Sequence, residues 1–317
     1  MNFNFKEPNV KLIGHGNFDN VIDCMKRIEY CARNCYQSTH KITDDSYRKF
    51  YNMIIKRGHE AVLEFASFSV YYNPSVLVSV DPKFLKYFVF TPGSLDKTPY
   101  MTGSVRAWRD LIRNTEFNVH SILKYIWFMK ELFIDLLPVK LVKELDTDYQ
   151  AINSKSYVFI PNNYKHKLIT FEWICDRGVS LELVRHRKMD FAQESSRYCS
   201  YNSSGEETNK MFFINPFDYR TLPNVDNLSK DVLKEGQEIF NNTLNIITEC
   251  YNKLKELGFK NDTARAILPN ALKTNVIFAC YEDYLPHFFN LRTADTAHYQ
   301  IRELAKETER LFYKRGG

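Results

Sequence analysis

Between positions 185 and 198 the chain reads Arg185-His186-Arg187-Lys188-Met189-Asp190-Phe191-Ala192-Gln193-Glu194-Ser195-Ser196-Arg197-Tyr198. A solvated helix face intersperses opposite charges at helical spacing. This run instead clusters planar, multi-donor groups of the kind that bind phosphate and nucleobase edges. Arg197 and the Ser195 hydroxyl offer a bidentate fork and a further donor for an anion. A nucleophilic Ser195 would need an adjacent base, and its sequence neighbours supply none. The arginines flanking His186 disfavour its protonation, so a neutral, hydrogen-bonding imidazole is expected there.

These residues need rigid elements behind them. Ile169, Phe171 and Trp173 alternate with Thr170 and Glu172, so a strand is predicted over Lys167 to Cys175. Asp176-Arg177-Gly178 turns the chain, and Ser180 is expected to cap a short helix that delivers Arg185 to Arg187. Upstream, Val21, Met25, Ile28, Ala32 and Cys35 mark a helix from about Asp19 to Gln37. A second helix begins at Asp44 or Asp45, turns Tyr47, Tyr51 and Ile54 inward and stops at Gly58. Ala66 to Tyr72 reads as a strand, and Val119 to Glu144 as a helix. Leu228 to Leu257 reads as a long amphipathic helix with Val232, Ile239, Thr243, Ile246, Cys250 and Leu254 inward and Gly258 as its stop. Asp262 is expected to cap the next helix, and two more cover Tyr284 to Arg292 and Thr296 to Phe312.

At 317 residues the chain fits one large domain or two ordinary ones. Its 44% hydrophobic and 26% charged content excludes a disordered chain. A net charge of +5 suits small polyanions and falls short of the basic stripe of a duplex-binding protein. Seven cysteines without a Cys-x-x-Cys spacing argue against a disulfide framework or a zinc site. No metal site, signal peptide or membrane span is expected, and the cytoplasm is the expected compartment.

Arg185-His186-Arg187, followed after seven residues by Ser195 and continued as Gln193-Glu194-Ser195-x-Arg197-Tyr198, resembles the signature of the flavin-dependent thymidylate synthases. Cys31 to Ser38, Gly58-His59-Glu60-Ala61-Val62-Leu63-Glu64, Arg265-Ala266-Ile267-Leu268-Pro269 and His287-Phe288-Phe289-Asn290-Leu291-Arg292 resemble further elements of that family, in the same order. The resemblance implies an α+β fold, a mixed sheet flanked by helices of the thymidylate synthase-complementing protein type, in a single domain spanning 1–317 with a helical insertion at about 73–164. It implies reductive methylation of dUMP to dTMP, with methylenetetrahydrofolate giving the carbon and FAD, reduced by NADPH, giving the hydride. Arg292 would be the catalytic arginine. His59, Arg185, His186, Arg187 and His287 would hold the flavin. Glu182, Arg185, Gln193, Glu194, Ser195, Arg197, Arg265 and Arg292 would hold dUMP. A homotetramer with sites between subunits is also implied, with no nucleic-acid or membrane partner. Cys199 would then be a structural thiol, since this chemistry attaches no protein nucleophile to the base.

The chain departs from the family pattern at two places. Tyr281-Glu282-Asp283 stands where the family has Asn-x-Arg, which removes a cation from the flavin site. Asp190 and Ala192 replace the usual Ser or Asn within the signature. Arg106 and Arg109, in Gly103-Ser104-Val105-Arg106-Ala107-Trp108-Arg109, are candidates to replace the lost arginine. The competing reading is a non-catalytic or nucleic-acid-binding relative, in which the arginine cluster contacts a polynucleotide and the abundant aromatics stack bases.

Overall fold

Among the described residues two four-stranded sheets carry the motifs, with every pair of named strands antiparallel. The computed structural model describes residues 4–77, 80–94, 97–114, 119–149, 157–201, 210–219 and 227–315. In chain order the strands are β1 (Asn9–His15), β2 (Ser67–Tyr71), β3 (Val89–Thr91), β4 (Tyr100–Ser104), β5 (Val158–Phe159), β6 (Leu168–Asp176), β7 (Asp190–Gln193) and β8 (Lys273–Tyr281). The helices are α1 (Val21–Cys35), α2 (Ser46–Lys56), α3 (Pro82–Leu85), α4 (Val105–Arg113), α5 (Val119–Ile126), α6 (Val139–Tyr149), α7 (Arg177–Leu183), α8 (Lys230–Glu256), α9 (Asn261–Ala264), α10 (Leu285–Arg292) and α11 (Tyr299–Lys314).

The first sheet runs β1-β6-β8-β7, with Phe171 opposite Phe278 and Trp173 opposite Val276. The alternation in β6 sorts its side chains as the sequence predicts. Phe171 and Trp173 enter a core shared with Phe288 of α10 and Ile301 and Leu304 of α11, where the Trp173 indole donates to Thr308 Oγ1 at 2.9 Å. Thr170 and Glu172 face α1 instead, bonded to Arg27 at 3.1 Å and Tyr30 at 2.7 Å. Helix α1 therefore lies across one face of this sheet, and its Cys24, Met25 and Ile28 pack with α2, Phe68 and Trp108 in the second core.

The second sheet runs β3-β4-β2-β5. Three of its strands come from the segment expected as a helical insertion, so that segment is not purely helical. The α+β class stands, as two antiparallel sheets and not one mixed sheet. The expected helix over Val119 to Glu144 is broken into α5, short 3₁₀ turns and α6, which starts just after Pro138. Proline closes off the preceding turn because it lacks an N–H and restricts the residue before it.

Helix α8 corrects the sequence reading more sharply. Val232, Ile239, Thr243, Ile246 and Cys250 are exposed, Ile239 and Ile246 each at 61%. The buried face carries Leu244 and Tyr251, with Phe240 and Leu254 packed beside them. The helix holds two apolar stripes one residue apart, and periodicity alone does not say which one faces the core. Smaller corrections concern caps. Asp176, not Ser180, caps α7, its Oδ1 accepting from Val179 N at 2.8 Å. Asp262 lies inside α9, which begins after Lys260.

Candidate active site

Helix α7 and the turn that follows it, between β6 and β7, present Arg185 and Arg187 to solvent and bury His186, which is 5% exposed. His186 Nε2 accepts from Arg292 Nε at 2.9 Å, so its proton sits on Nδ1, 3.1 Å from Tyr284 Oη. Burial, then the charge of Arg292, lowers its pKa to about 4. The imidazole is neutral as expected, but the cause is burial and Arg292, not its neighbours in sequence. Arg292 Nη2 donates to the Glu182 carbonyl at 3.0 Å, and Nη1 lies 3.4 Å from Glu182 Oε2. His298 Nδ1 stands 3.3 Å from Glu182 Oε1. Glu182, His186 and Arg292 thus form one cluster at the ends of α7 and α10. Tyr284 and His298 complete it, and no local pattern in the sequence marks either. His287 is exposed, its ring centroid 5.3 Å from that of Tyr284.

A second cluster forms where β7 ends. Ser195 N donates to Cys35 O at 3.0 Å, and Arg197 N donates to Ser195 Oγ at 3.3 Å, which ties this turn to the end of α1. Tyr198 packs on Tyr36 with centroids 5.2 Å apart, and Tyr36 Oη meets His59 Nδ1 at 3.1 Å. His59 follows Gly58, whose φ of +68° is the left-handed backbone that glycine adopts at no steric cost. Gln193 and Glu194 bond inward. Gln193 Nε2 reaches Ser180 Oγ at 2.8 Å and Thr274 Oγ1 at 3.1 Å. Glu194 accepts from Lys273 at 2.9 Å, Asn275 N at 3.2 Å and Tyr201 Oη at 3.1 Å. A cavity of about 360 Å³ opens beside this pair, lined by Lys6, Gln37, Tyr201 and Lys210 among others. Lys273 and Tyr36 went unnoticed in the sequence because their partners lie far along the chain.

Arg265 is exposed just beyond α9. Among the described residues no hydrogen bond or ion pair joins it to either cluster, or joins the two clusters to each other. The Arg185, Arg187, Arg197 and Arg265 guanidiniums likewise have no carboxylate partner among the described residues. Exposed Arg185 and Arg187, flanking a neutral imidazole, and exposed His59 are a donor set that fits an anionic dinucleotide such as a flavin.

Arg106 and Arg109 stand against expectation. Arg109 is fully buried, with Asp135, the Leu132 carbonyl and Glu60 around it, and Arg106 pairs with Asp110 at 2.8 Å. Neither guanidinium is available to replace the cation missing at Asp283. Glu282 is buried and takes His15 and Arg315, while Asp283 is exposed. Asp190 is pushed up to about 7, first by burial and then by Glu64. Cys199 is buried and raised to about 12 by burial, so its thiol is protonated and unreactive. Among the described residues no group of three or more His, Cys, Asp or Glu could hold a metal, and no helix is long and apolar enough to cross a membrane.

Residues 162–315 match the family model described as thymidylate synthase complementing protein. Among curated proteins, the chain is 30% identical over 135 residues to a flavin-dependent thymidylate synthase of Geobacter sulfurreducens, covering 43% of this chain and 51% of that protein. It is 30% identical over 131 residues to one of Pyrococcus furiosus, covering 41% and 48%, and 31% identical over 143 residues to one of Thermococcus onnurineus, covering 44% and 52%. The chain thus spans about half the length of the curated relatives it matches. A solved structure of a UMP/dUMP methylase PolB from Streptomyces cacaoi bound with 5-Br UMP aligns with 98% of this chain and 92% of that one, at 13% identity and a TM-score of 0.44, too loose a likeness to bear on function.

Proposed function

We propose, from the match of residues 162–315 to the thymidylate synthase complementing protein family model, that this chain is an enzyme that reductively methylates dUMP to dTMP. Methylenetetrahydrofolate would be the carbon donor and NADPH the source of reducing equivalents, with FAD as the cofactor. The observation that carries the reading is the Glu182–His186–Arg292 cluster beside Arg185 and Arg187, which have no carboxylate partner among the described residues. C5 of uracil becomes nucleophilic when negative charge spreads over N3 and O4, and a guanidinium that stays protonated stabilises that charge. Arg292 has this role, and three of its five N–H donors are engaged within the chain, leaving two for the base. His186 holds its Nε, and Glu182 orients its fork and contacts the base. Ser195, Arg197 and Arg265 hold the nucleotide phosphate, with Gln193 and Glu194 shaping the turn that presents them.

Arg185, Arg187, His186, His59 and His287 hold the flavin, which when bound supplies the hydride for reducing the added carbon. Sites completed between subunits of a homotetramer belong to the same proposal. Exposed Ile239 and Ile246 on α8 offer an apolar face that subunit contact would cover. All seven thiols are free, in keeping with a cytoplasmic enzyme. Incubating the purified chain with dUMP, methylenetetrahydrofolate, FAD and NADPH tests the reading. The expected result is dTMP that requires all four components; no dTMP from a folded, flavin-loaded protein would overturn it.

A further inference from the structure

Helix α4 lies outside the segment that matches the family model, yet it grips the Gly58-His59-Glu60 stretch from two sides. Arg106, Arg109 and Arg113 are spaced three and four apart, which puts them on one helix face, and all three converge on Glu60. Arg113 binds both carboxylate oxygens, with Nη1 2.7 Å from Oε2. Arg109 Nη2 is 3.4 Å from Oε1, and Arg106 Nη1 is 3.6 Å from Oε2. Asp110 and Asp135 complete the network, so three cations face three carboxylates. At the other end of the same stretch, the Ser104 hydroxyl, which caps α4 through Ala107 N at 3.0 Å, donates to Glu64. Val105 N adds a bond to Ala66 O at 2.8 Å.

His59 sits directly before this clamp. Its backbone N–H is held by Ile54 O at 3.1 Å, and its ring reaches Tyr36. A salt network that served only to dock the segment would not need to concentrate on the residue next to an exposed imidazole. We propose that the arginines of α4, acting through Glu60, position His59, which makes α4 a working part of the site. The inference rests on the flavin role proposed above for His59, but its geometric half can be read without flavin.

The test uses the full chain with Arg113→Gln, Arg113→Lys and Ser104→Ala. NMR of the histidine rings, with His59 assigned through His59→Gln, follows the His59–Tyr36 contact, and flavin titration follows FAD affinity. In Arg113→Gln the His59 signals should shift and lose their contact with Tyr36. FAD should bind more weakly, and kcat should fall by up to ~10²-fold while the KM for dUMP changes little, as expected when a group is misplaced by a distant change. Arg113→Lys should restore part of each effect. If Arg113→Gln does not fold, Ser104→Ala loosens the same stretch without removing a charge and carries the same readouts. Folded variants with lowered stability but unchanged His59 signals and FAD affinity would overturn the proposal. A wild-type chain that fails to bind FAD would sink the flavin reading alone, because the His59–Tyr36 contact still decides this one.

Discussion

Two sets of arginines in this molecule differ in how their charge is met. Those of α4 are matched by Glu60, Asp110 and Asp135, and Arg109 is fully buried. Those of the signature and the Arg265 element point outward with no carboxylate among the described residues. A buried guanidinium without a partner would be too costly to fold, so the α4 set had to be closed within the chain. The exposed set remains solvated and needs no such closure, which leaves its donors for a ligand. The same residue type is structural in one place and available for binding in the other, and only three-dimensional pairing distinguishes the two.

Breaking the closed set should have the largest effect on folding. Arg109→Ala removes a fully buried guanidinium that holds Asp135 and the Leu132 carbonyl, while Glu60 keeps Arg106 and Arg113, and should lower unfolding stability by about 1–3 kcal/mol, measured by denaturant titration. On the open side, Arg292→Ala should lower turnover by ~10²–10³-fold while the protein stays folded and flavin-loaded. Near-normal dTMP formation would remove Arg292 from the centre of the mechanism. Arg187→Ala should leave stability within about 0.5 kcal/mol of wild type and weaken FAD binding by about 1.5–3 kcal/mol. A large stability loss there would mean that this arginine belongs to the closed set after all.

The buried histidines sharpen the contrast further. His166, between the Thr91 and Thr102 hydroxyls at 2.7 Å each, is lowered from 6.5 to about 4, chiefly by burial. Its unfolded form therefore binds the proton first as pH falls. The stability it contributes is present above about pH 6.5 and is lost toward pH 4. His166→Gln should flatten that part of the stability curve without affecting FAD affinity. The smallest expected effect is that of Cys199→Ser, which should keep measurable turnover because a protonated, buried thiol does no chemistry. A folded, flavin-loaded but inactive variant would reinstate the thiol.

Much of the positioning frame was legible in the sequence. The alternation of Ile169, Phe171 and Trp173 and the stripe of Met25, Ile28 and Ala32 each have one apolar face, so β6 and α1 could be oriented without tertiary information. Helix α8 has two, so its periodicity does not fix which one faces the core. The chemistry of the site was legible as residue types, but its pairings were not. His186 with Arg292, and Glu194 with Lys273, join positions separated by 106 and 79 residues. Arg106 and Arg109 looked equivalent to the exposed arginines because the sequence does not show that Glu60, Asp110 and Asp135 already hold them.

The central claim is that the exposed arginines have no carboxylate partner among the described residues because their anion comes from outside the chain. Titration of the purified wild-type protein with FAD, in parallel with Arg185→Ala and Arg187→Ala, tests it most directly. Saturable binding of a flavin that NADPH bleaches, weakened in both folded variants, is the predicted result. No flavin binding by wild type, or binding that both variants retain in full, would contradict it.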